Sequence, residues 1–442
     1  MMTGSHGPSP KQFVDWLRRV APYIHAFRGR TFVVAFPGEL VQAGRLPALV
    51  QDISLLSAMG MRLVVVFGSR PQINEQLRLR GVPARYANGQ RITDAVAMEC
   101  AKEASGEIRL DIEAAFSLGL PNTPMAHSSV RVVSGNLVSA RPVGIVDGVD
   151  HGQTGVARKI EVDTIRFALQ SGAIVLLSNI GFSATGEAFN LGMEDVAATT
   201  AIALDADKLI FVTETPGVLD AAGSVVGEVS EADAKALLRA GSLPAETAWY
   251  LQHALRACEG GVARAHIIPF DVDGSMLLEL FQHDGVGTMV VEETLEALRE
   301  ATIDDVGGIV ALIRPLEEDG TLVRRDRNRI ESEAENFTVI EHDGVIFGCA
   351  ALYPYPDEGI GEMACVAVDP QAQGKGDGDR LVKRIEQRAR AAGLKRLFVL
   401  TTRTMHWFQK RGFVVADIDQ LPRERRDLYN WQRKSQVLIK TL

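Results

Sequence analysis

A glycine-rich turn near the C-terminal end carries the clearest chemical signal in this sequence. An apolar, strand-like run ends at Val368, and glycines follow at positions 374, 376 and 378 before a helical pattern begins at Asp379. Glycines at this spacing let successive backbone N–H groups point into one concavity at a helix N-terminus. Such a concavity binds anions, so the segment is suited to the pyrophosphate of a nucleotide-like ligand.

The elements around this turn decide between a ligand loop and an ordinary turn from strand to helix. The helical pattern at 379–392 has one apolar face and stops at Gly393, and a strand pattern follows at 396–401. A short helical segment then leads into the string Trp407-Phe-Gln-Lys-Arg-Gly-Phe413. The six-residue glycine pattern alone fits both interpretations. The ordered context favours the ligand loop.

Together these segments resemble the coenzyme A loop and the aromatic C-terminal motif of the GCN5-related N-acetyltransferases. The resemblance implies an α+β domain in which two neighbouring strands splay apart and hold the thioester of acetyl-CoA between them. Backbone N–H donors there would stabilise the oxyanion of a tetrahedral transition state. By resemblance, acetyl-CoA binds to Cys365, Val366, Ala367, Val368, Gln371, Gln373, Gly374, Lys375, Gly376, Asp377 and Gly378.

Longer strings between Leu312 and Leu442 resemble one branch of that family, the N-acetylglutamate synthases. The most specific are Leu312-Ile-Arg-Pro-Leu-Glu-Glu318, Gly361-Glu-Met-Ala-Cys365 and Leu397-Phe-Val-Leu-Thr-Thr-Arg403. The resemblance to this branch implies direct transfer of an acetyl group, in a ternary complex, from acetyl-CoA to the α-amino group of L-glutamate. That reaction is the first step of arginine biosynthesis.

Acetyl transfer needs a general base, because a protonated amine has no free electron pair to attack with. Glu362 is our candidate for the base; a solvated carboxylate at a strand edge is the competing interpretation. The resemblance assigns the Cys365 carbonyl to orienting the amine, whereas the Cys365 thiol is more typical of buried packing than of a nucleophile. Phe408 stands where many relatives carry a tyrosine acid, so the synthase branch suggests Thr401 as the general acid.

L-Glutamate has two carboxylates, so its site is expected to offer at least two cations, preferably guanidinium groups. Leu312, Arg314, Arg425 and Arg433 match the substrate-binding residues of the synthase branch. Arg425 and Arg433 belong to a basic tail, for which a solvated surface is the alternative interpretation. Arg426 is an alternative alignment to Arg425.

Residues 22–291 resemble the amino-acid-kinase fold, a doubly wound and mainly parallel α/β sheet. Alternating strand-like and helical patterns favour that fold independently. Phosphoryl transfer needs cations and open glycine loops at the phosphates, but Ala35, Pro37, Arg70 and Tyr250 stand at the corresponding positions. We therefore expect neither ATP binding nor kinase activity.

Arginine-sensitive relatives bind L-arginine in this kinase-like domain. The matching residues here are Tyr23, His266, Glu279, Gly285 and Gly287. Glu279 can offer the carboxylate that a guanidinium prefers; a satisfied core carboxylate is the alternative interpretation. The resemblance implies feedback inhibition by L-arginine. It also implies a homo-oligomer, a hexamer joined through the amphipathic N-terminal helix.

Length and composition bound the domain organisation and the possible partners. The chain has 442 residues, 46% hydrophobic and 23% charged, which suits two or three globular domains. We divide it into a disordered N-terminus (1–10), a regulatory kinase-like domain (11–291), a linker (292–298) and an acetyltransferase domain (299–442). The net charge of −9 disfavours nucleic acids and anionic membranes as partners.

Cysteine and histidine usage gives no sign of a metal site. The four cysteines are scattered without a CxxC pair, which fits a reducing cytoplasm better than a disulfide framework. No secretory signal is visible, and the apolar runs are far shorter than the ~20 residues of a membrane span. We expect a cytoplasmic enzyme without a metal cofactor.

Two other functions are compatible with these patterns. An acetyltransferase for a different amine, such as a protein lysine, would need carboxylates rather than arginines at its acceptor site. An arginine-sensing subunit with an inactive transferase domain would not need Glu362 or a complete loop at 371–376. Because these features are present, they favour an active member of the synthase branch.

Overall fold

The computed structural model describes residues 9–87, 89–118, 130–282, 285–292, 296–342, 344–370, 372–373, 376–431 and 433–442, with the backbone alone at 296 and 297. The chain divides into two units, Met1–Glu293 and Thr294–Leu442. Of the N-terminal segment expected to be disordered, residues 1–8 lie outside the described residues. Ser9 and Pro10 instead begin the first helix, because Ser9 and Gln12 form a reciprocal capping box.

The first unit contains ten helices and sixteen strands within its described residues. The helices are α1 (Pro10–Phe27), α2 (Gly38–Gln42), α3 (Leu46–Ala58), α4 (Arg70–Leu79), α5 (Ala95–Leu118), α6 (Val162–Gln170), α7 (Met193–Leu204), α8 (Glu231–Ala240), α9 (Ala245–Glu259) and α10 (Ser275–Phe281). The strands are β1 (Thr31–Phe36), β2 (Arg62–Phe67), β3 (Tyr86–Ala87), β4 (Gln90–Arg91), β5 (Val132–Ser134), β6 (Val138–Pro142), β7 (Ile145–Val146), β8 (Val149–Asp150), β9 (Thr154–Ile160), β10 (Ile174–Ser178), β11 (Ile180–Phe182), β12 (Ala188–Leu191), β13 (Lys208–Thr213), β14 (Glu228–Ser230), β15 (Arg264–Pro269) and β16 (Thr288–Val291).

An eight-stranded sheet forms the core of the first unit, in the order β14-β16-β15-β13-β1-β2-β10-β5. Every neighbouring pair is parallel except β15 and β16. Successive residues of β1 are buried in opposite layers, Val33 with helices α7 and α9 and Phe32 with helices α3 and α5. Both faces are therefore covered, which explains the continuous apolar runs. The mainly parallel, doubly wound α/β prediction is confirmed.

The remaining described strands of the first unit form three smaller sheets, one of which is the antiparallel pair β3 and β4. Residues 142–151 contain a second antiparallel pair, β7 and β8. Strands β6, β9, β12 and β11 close on one another in a separate small sheet.

The second unit contains a seven-stranded sheet in the order β17-β18-β19-β20-β21-β23-β22. Its strands are β17 (Glu296–Glu300), β18 (Phe337–His342), β19 (Val345–Tyr355), β20 (Ile360–Val368), β21 (Arg396–Thr401), β22 (Val414–Ala416) and β23 (Gln436–Thr441). Its helices are α11 (Val306–Glu318), α12 (Arg327–Ser332), α13 (Asp377–Ala391), α14 (Met405–Gln409) and α15 (Arg423–Asp427).

Helices α11 and α13 cover opposite faces of this sheet. Ile309 and Ile313 of α11 pack with Cys349, while Leu381 and Ile385 of α13 pack in the other cluster. All strand pairs are antiparallel except β20 and β21, which run parallel. The arrangement confirms the predicted α+β acetyltransferase fold.

Strand β17 was not expected from the sequence. Its residues 296–298 fall in the segment predicted to be a linker, of which residues 293–295 lie outside the described residues. The strand forms because it pairs antiparallel with β18, from Glu296↔His342 to Glu300↔Thr338. Arg299 holds it in place through ion pairs of 2.7 Å to Asp305 and 2.6 Å to Glu341. Within the described residues, the second unit therefore begins with a strand.

Three further findings concern the described residues as a whole. All four cysteines are free and buried. No group of three or more His, Cys, Asp or Glu side chains in the described segments could hold a metal ion. None of the helices described is both long and apolar enough to cross a membrane.

Candidate active site

Strands β20 and β21 separate within the acetyltransferase unit. They pair from Ile360↔Arg396 to Glu362↔Phe398, although β20 continues to Val368. No pairing among the described residues joins β20 beyond Glu362 to β21. The N–H and C=O groups of β20 on that side are therefore available to a ligand. This is the type of gap that the sequence resemblance implied.

A β-bulge interrupts the pairing of β20 with β19 on its other side. The register shifts between Cys349 and Ala351, so Cys365 and Val366 together oppose the single residue between those two. Cys365 has a φ of +52°, in the left-handed region that residues other than glycine rarely adopt. The bulge redirects the backbone at the position assigned to the thioester, and strained backbone of this kind clusters at functional sites.

The two cysteines at the bulge are buried, protonated thiols. The Cys349 thiol donates a hydrogen bond to the Cys365 carbonyl, with a distance of 3.4 Å between Sγ and O. Burial raises the pKa of the Cys365 thiol to about 11, and burial raises that of Cys349 well above its usual value. This supports packing, and not nucleophilic attack, as the role of the Cys365 side chain.

Glu362 and Arg425 form a two-point ion pair beside the gap. Arg425 of α15 donates from Nε to Oε2 of Glu362 at 2.7 Å and from Nη2 to Oε1 at 3.1 Å. Glu362 is 7% exposed. Arg426 is half-buried, and its Nη1 lies 3.5 Å from the Asp419 carbonyl. The structure thus brings the candidate base together with one candidate substrate-binding residue, and it supports Arg425 over Arg426.

The other candidate substrate-binding residues, Leu312, Arg314 and Arg433, are not joined to Glu362 by a described hydrogen bond or ion pair. Arg433 donates from Nη2 to the Thr321 carbonyl at 2.6 Å. Leu312 is half-buried and Arg314 is exposed, both on α11. No described hydrogen bond or ion pair connects Arg314 with Glu362. The structure therefore does not bring Arg314 into contact with the pair.

Arg325 is a further guanidinium near Glu362, and the sequence interpretation missed it. It is half-buried and interacts electrostatically with Glu362, Arg425 and Arg433. Burial, followed by the charge of Arg325, lowers the pKa of Arg433. Arg325 belongs to the basic run 324–329, which resembles a solvated surface in sequence. Its basic character was the only available signal, because only the fold places it beside Glu362.

Thr401 lies at the end of β21 and is 7% exposed. Its hydroxyl oxygen accepts the Thr404 N–H at 3.0 Å and lies 2.9 Å from the Thr404 hydroxyl. These contacts organise the turn into α14. Phe408, at the position of the missing tyrosine, is buried against Phe413 with 5.5 Å between ring centroids.

The candidate coenzyme A loop leads into α13, which begins at Asp377, two residues before the predicted start. Gly376 immediately before the helix has a φ of +96°. A Cβ atom at Gly378 would lie 2.7 Å from the Trp407 ring, so only glycine permits this close approach. Gln371, Gly374 and Lys375 lie outside the described residues. The Gln373 side chain donates to the Val368 carbonyl at 3.1 Å.

Two acidic side chains in the first turn of α13 would repel a pyrophosphate if they were unpaired. Asp377 pairs with Arg380 at 3.2 Å, and Asp379 pairs with Arg411. Arg411 also stacks on Trp407, with 3.6 Å between its guanidinium carbon and the ring centroid. The helix N-terminus therefore remains compatible with an anionic ligand.

Comparison with known proteins identifies the family. Residues 30–269 match the amino acid kinase family, and residues 311–413 match the acetyltransferase (GNAT) family. An amino-acid acetyltransferase from Ralstonia nicotianae is 65% identical over 435 residues, which cover 98% of this chain and 96% of that protein. This chain belongs to the amino-acid acetyltransferase family. A second amino-acid acetyltransferase, from Pseudomonas fluorescens, is 49% identical over 433 residues, which cover 98% of this chain and 100% of that protein.

Two solved structures of an N-acetylglutamate synthase from Neisseria gonorrhoeae share the fold of this amino-acid acetyltransferase family member. The one complexed with coenzyme A and L-arginine has a TM-score of 0.83 at 38% identity, over 97% of this chain and 99% of that chain. The one complexed with coenzyme A and N-acetyl-glutamate has a TM-score of 0.62 at 39% identity, over the same shares of both chains.

In the kinase-like unit of this family member, four of the five candidate arginine-site residues lie together. His266 of β15 contacts Glu279 of α10, with 2.7 Å between Nδ1 and Oε1. The Val286 and Gly287 N–H groups donate to Oε2 of Glu279 at 2.7 and 3.1 Å. A Cβ atom at Gly285 would lie 2.4 Å from the same oxygen. Tyr23 lies on α1, which contacts α10.

Lys208 contacts the imidazole of His266 in this cluster. Its Nζ lies 3.3 Å from Nε2 of His266, so the imidazole accepts there and donates from Nδ1 to Glu279. Burial and the charge of Lys208 lower the pKa of His266. Burial opposes ionisation of Glu279, but its hydrogen bonds from His266, Val286 and Gly287 lower its pKa overall. The Glu279 carboxylate thus already accepts three hydrogen bonds, of about four acceptor positions.

Proposed function

We propose that this enzyme transfers the acetyl group of acetyl-CoA to the α-amino group of L-glutamate. The observation that carries the proposal is the Glu362–Arg425 pair beside the gap between β20 and β21. One site thus holds a carboxylate suited to accept a proton from an amine and a guanidinium suited to bind a carboxylate. The solved relatives with coenzyme A and with N-acetyl-glutamate support the same pair of substrates.

Local charge favours a dicarboxylic amino acid over other amines. Arg325 interacts electrostatically with Arg425, with Arg433 and with the carboxylate of Glu362. An acceptor with two carboxylates can pair with these guanidinium groups. A lysine-bearing protein would instead bring a further cation to them.

Acetyl-CoA is assigned to the gap and to the N-terminus of α13. The unpaired side of β20 beyond Glu362 offers backbone N–H groups for the oxyanion of the transition state. Gly376 and Gly378 let the backbone approach the pyrophosphate closely, and the helix N-terminus provides a favourable dipole.

The reaction is a direct transfer in a ternary complex. A carboxylate of L-glutamate binds Arg425, and Glu362 accepts a proton from the ammonium group, directly or through a water molecule. The neutral nitrogen attacks the thioester carbonyl, so that a C–N bond forms and the C–S bond breaks. As the C–S bond breaks, the CoA thiolate takes a proton from the hydroxyl of Thr401, at the end of β21. The second proton lost by the acylated nitrogen restores that hydroxyl, so the nitrogen becomes a neutral amide and CoA leaves as a thiol.

Feedback inhibition by L-arginine is the regulatory part of the proposal, at Tyr23, His266, Glu279, Gly285 and Gly287. Because Glu279 already accepts three hydrogen bonds, its part is to hold the loop 285–287 in place. The loop then presents its backbone to the effector.

Assembly and location complete the proposal. We place the enzyme in the cytoplasm as a homo-oligomer, hexameric by family resemblance. The α1 side chains of Phe13, Trp16 and Leu17 are 51%, 51% and 45% exposed, which supports association through this helix.

The proposal is tested by incubating the full chain with acetyl-CoA and L-glutamate and measuring both thiol release and the acylated product by mass spectrometry. N-Acetyl-L-glutamate formed in step with free CoA is the expected result. An arginine-sensing subunit without transferase activity would form no product. An acetyltransferase for another amine would form its product only when that amine is supplied.

A further inference from the structure

A cavity of about 710 Å³ lies within the kinase-like unit, in a part of the chain that the proposed reaction does not use. It opens where the adjacent parallel strands β13, β1, β2 and β10 end, and Glu214, Gly38, Ser69 and Asn179 line it there. Ligands of open α/β sheets bind at the carboxyl ends of the strands. The volume is in the range of small-molecule sites.

Four carboxylates without an ion-pair partner among the described residues give this cavity its character. They are Glu39, Glu194, Glu214 and Glu246. A fifth, Asp195, is neutralised by Arg256 at 2.7 Å. Burial, together with Glu246, raises the pKa of Glu214 to about 7, and burial also raises that of Glu39. A polyphosphate would be repelled by this charge, whereas an ammonium group would relieve it.

A binding role explains these carboxylates better than a purely structural role does. Glu39, Glu194 and Glu246 lie in the first turns of α2, α7 and α9, where a helix dipole favours an anion. Burial raises the pKa of Glu39, a backbone hydrogen bond and Arg70 lower it, and Glu246 and Glu194 raise it further. Glu246 and Glu194 therefore lie close enough to Glu39 to act on its charge.

Two guanidinium groups line the same cavity, and some of their N–H donors have no described hydrogen-bond acceptor. Arg91 is 7% exposed; its Nη2 donates to Asn74 and Tyr86, while its Nη1 has no described partner. The Arg70 side chain makes no described hydrogen bond or ion pair, and it interacts electrostatically with Glu194 and Glu39. The cavity can therefore pair with one anionic group of a ligand through these guanidinium groups, in addition to cationic groups through the carboxylates.

A rigid polar wall supports the same cavity. Asn179 accepts hydrogen bonds from Ser69 at 2.9 Å and Ser105 at 2.8 Å, and it donates to Asn190 at 2.9 Å. Asn190 in turn donates to Thr93 at 3.2 Å. A buried network with this many satisfied members fixes the shape of the wall, so the site is preorganised.

We propose that this cavity binds a second small molecule, a diamino carboxylic acid. Its ammonium groups lie against Glu39, Glu194, Glu214 and Glu246, and its carboxylate lies against Arg70 and Arg91. This ligand matches the surplus of carboxylates and the two guanidinium groups with incomplete partners. The site is separate from the cluster of His266 and Glu279 and does not depend on the proposed acetyl transfer.

Isothermal titration of the full chain with three probes tests this proposal. L-Lysine carries ammonium and carboxylate groups, putrescine only ammonium groups, and glutarate only carboxylates. L-Lysine is expected to bind most tightly, putrescine more weakly and glutarate not at all. In a Glu214→Gln/Glu246→Gln variant, affinity for both amines falls about tenfold or more. Glu107→Gln, an exposed position of α5, is the matched control and changes neither.

The Arg70→Gln variant separates the two parts of the site. It is expected to weaken L-lysine binding and to leave putrescine binding unchanged or tighter, because only the carboxylate contact is removed. If the double variant does not fold, the single variant Glu246→Gln, at an exposed position, replaces it. The proposal is overturned if wild-type protein binds neither amine, or if L-lysine binds equally to wild type and to the Glu246→Gln variant.

Discussion

The guanidinium of Arg425 binds the carboxylate of Glu362 at two points, 2.7 Å from Nε and 3.1 Å from Nη2. A guanidinium has five N–H donors, and Glu362 occupies the Nε donor and one Nη2 donor of Arg425. In the proposed reaction, the Nη1 donors are therefore available to a carboxylate of L-glutamate while the ion pair holds Glu362 in place. One arginine thus positions the proposed base and binds the proposed substrate.

Replacing Arg425 by glutamine is expected to raise the KM for L-glutamate by about tenfold or more, since one charge-assisted contact to the substrate is lost. The KM for acetyl-CoA should change little. Arg426→Gln is the matched control, because Arg426 is the neighbouring arginine and lies 3.5 Å from a backbone carbonyl. Steady-state kinetics with each substrate varied in turn measure both effects. Equal KM values for the two variants would contradict the assignment of Arg425.

Replacing Glu362 by glutamine removes the proposed base and is expected to lower kcat by about 100-fold or more. Activity should recover as the pH rises, because a growing fraction of the amine is then neutral in solution. A pH–rate profile of wild type, Glu362→Gln and the exposed control Glu424→Gln measures this. A Glu362→Gln variant with the full rate at every pH would show that Glu362 is not the base.

The backbone around Glu279 predicts a separation of regulation from catalysis. In a Gly285→Ala variant, the new Cβ would lie 2.4 Å from Glu279, at a φ of +56°. The loop 285–287 must shift, so L-arginine is expected to lose its effect while the rate without L-arginine stays the same. Gly241→Ala is the control, since it has a similar φ of +65° and no atom within 4 Å of the new Cβ. Full arginine sensitivity of Gly285→Ala would contradict this site.

The ion pair of Arg299 with Asp305 predicts how stability depends on pH. Hydrogen bonds from Arg299 lower the pKa of Asp305 to about 2 from 3.8. A lowered pKa in the folded state stabilises the fold above the unfolded value, and this stabilisation is lost as the pH falls towards 2. Asp305→Asn should therefore cost about 1–3 kcal/mol at neutral pH and less in acid.

Thermal unfolding of both proteins across this pH range measures the difference. Asp304→Asn is the control, because Asp304 is exposed. A constant difference between Asp305→Asn and wild type from neutral pH to acid would contradict the role of this ion pair.

Elements that depend on local patterns could be predicted from the sequence. Strands β1 and β2 follow the alternating pattern seen in the sequence, because each is a buried apolar run between polar or glycine-containing segments. The resemblance to a known family implied the gap beside β20, and the glycine spacing indicated the turn into α13.

Features that depend on distant partners could not be predicted. The sequence of β17 resembles a charged linker. Its Arg299 is paired with Asp305 and Glu341 only in the folded structure. Arg325 and the left-handed backbone of Cys365 are likewise set by tertiary contacts. The pairing of Glu362 with Arg425 joins residues 63 positions apart, a distance that sequence spacing does not reveal.

CoA release measured with each of the twenty standard amino acids as acceptor tests the central claim most directly. The structure and the family predict rapid release with L-glutamate and little above background with the other nineteen. No release above background with L-glutamate, or faster release with an amino acid that carries no side-chain carboxylate, would contradict it.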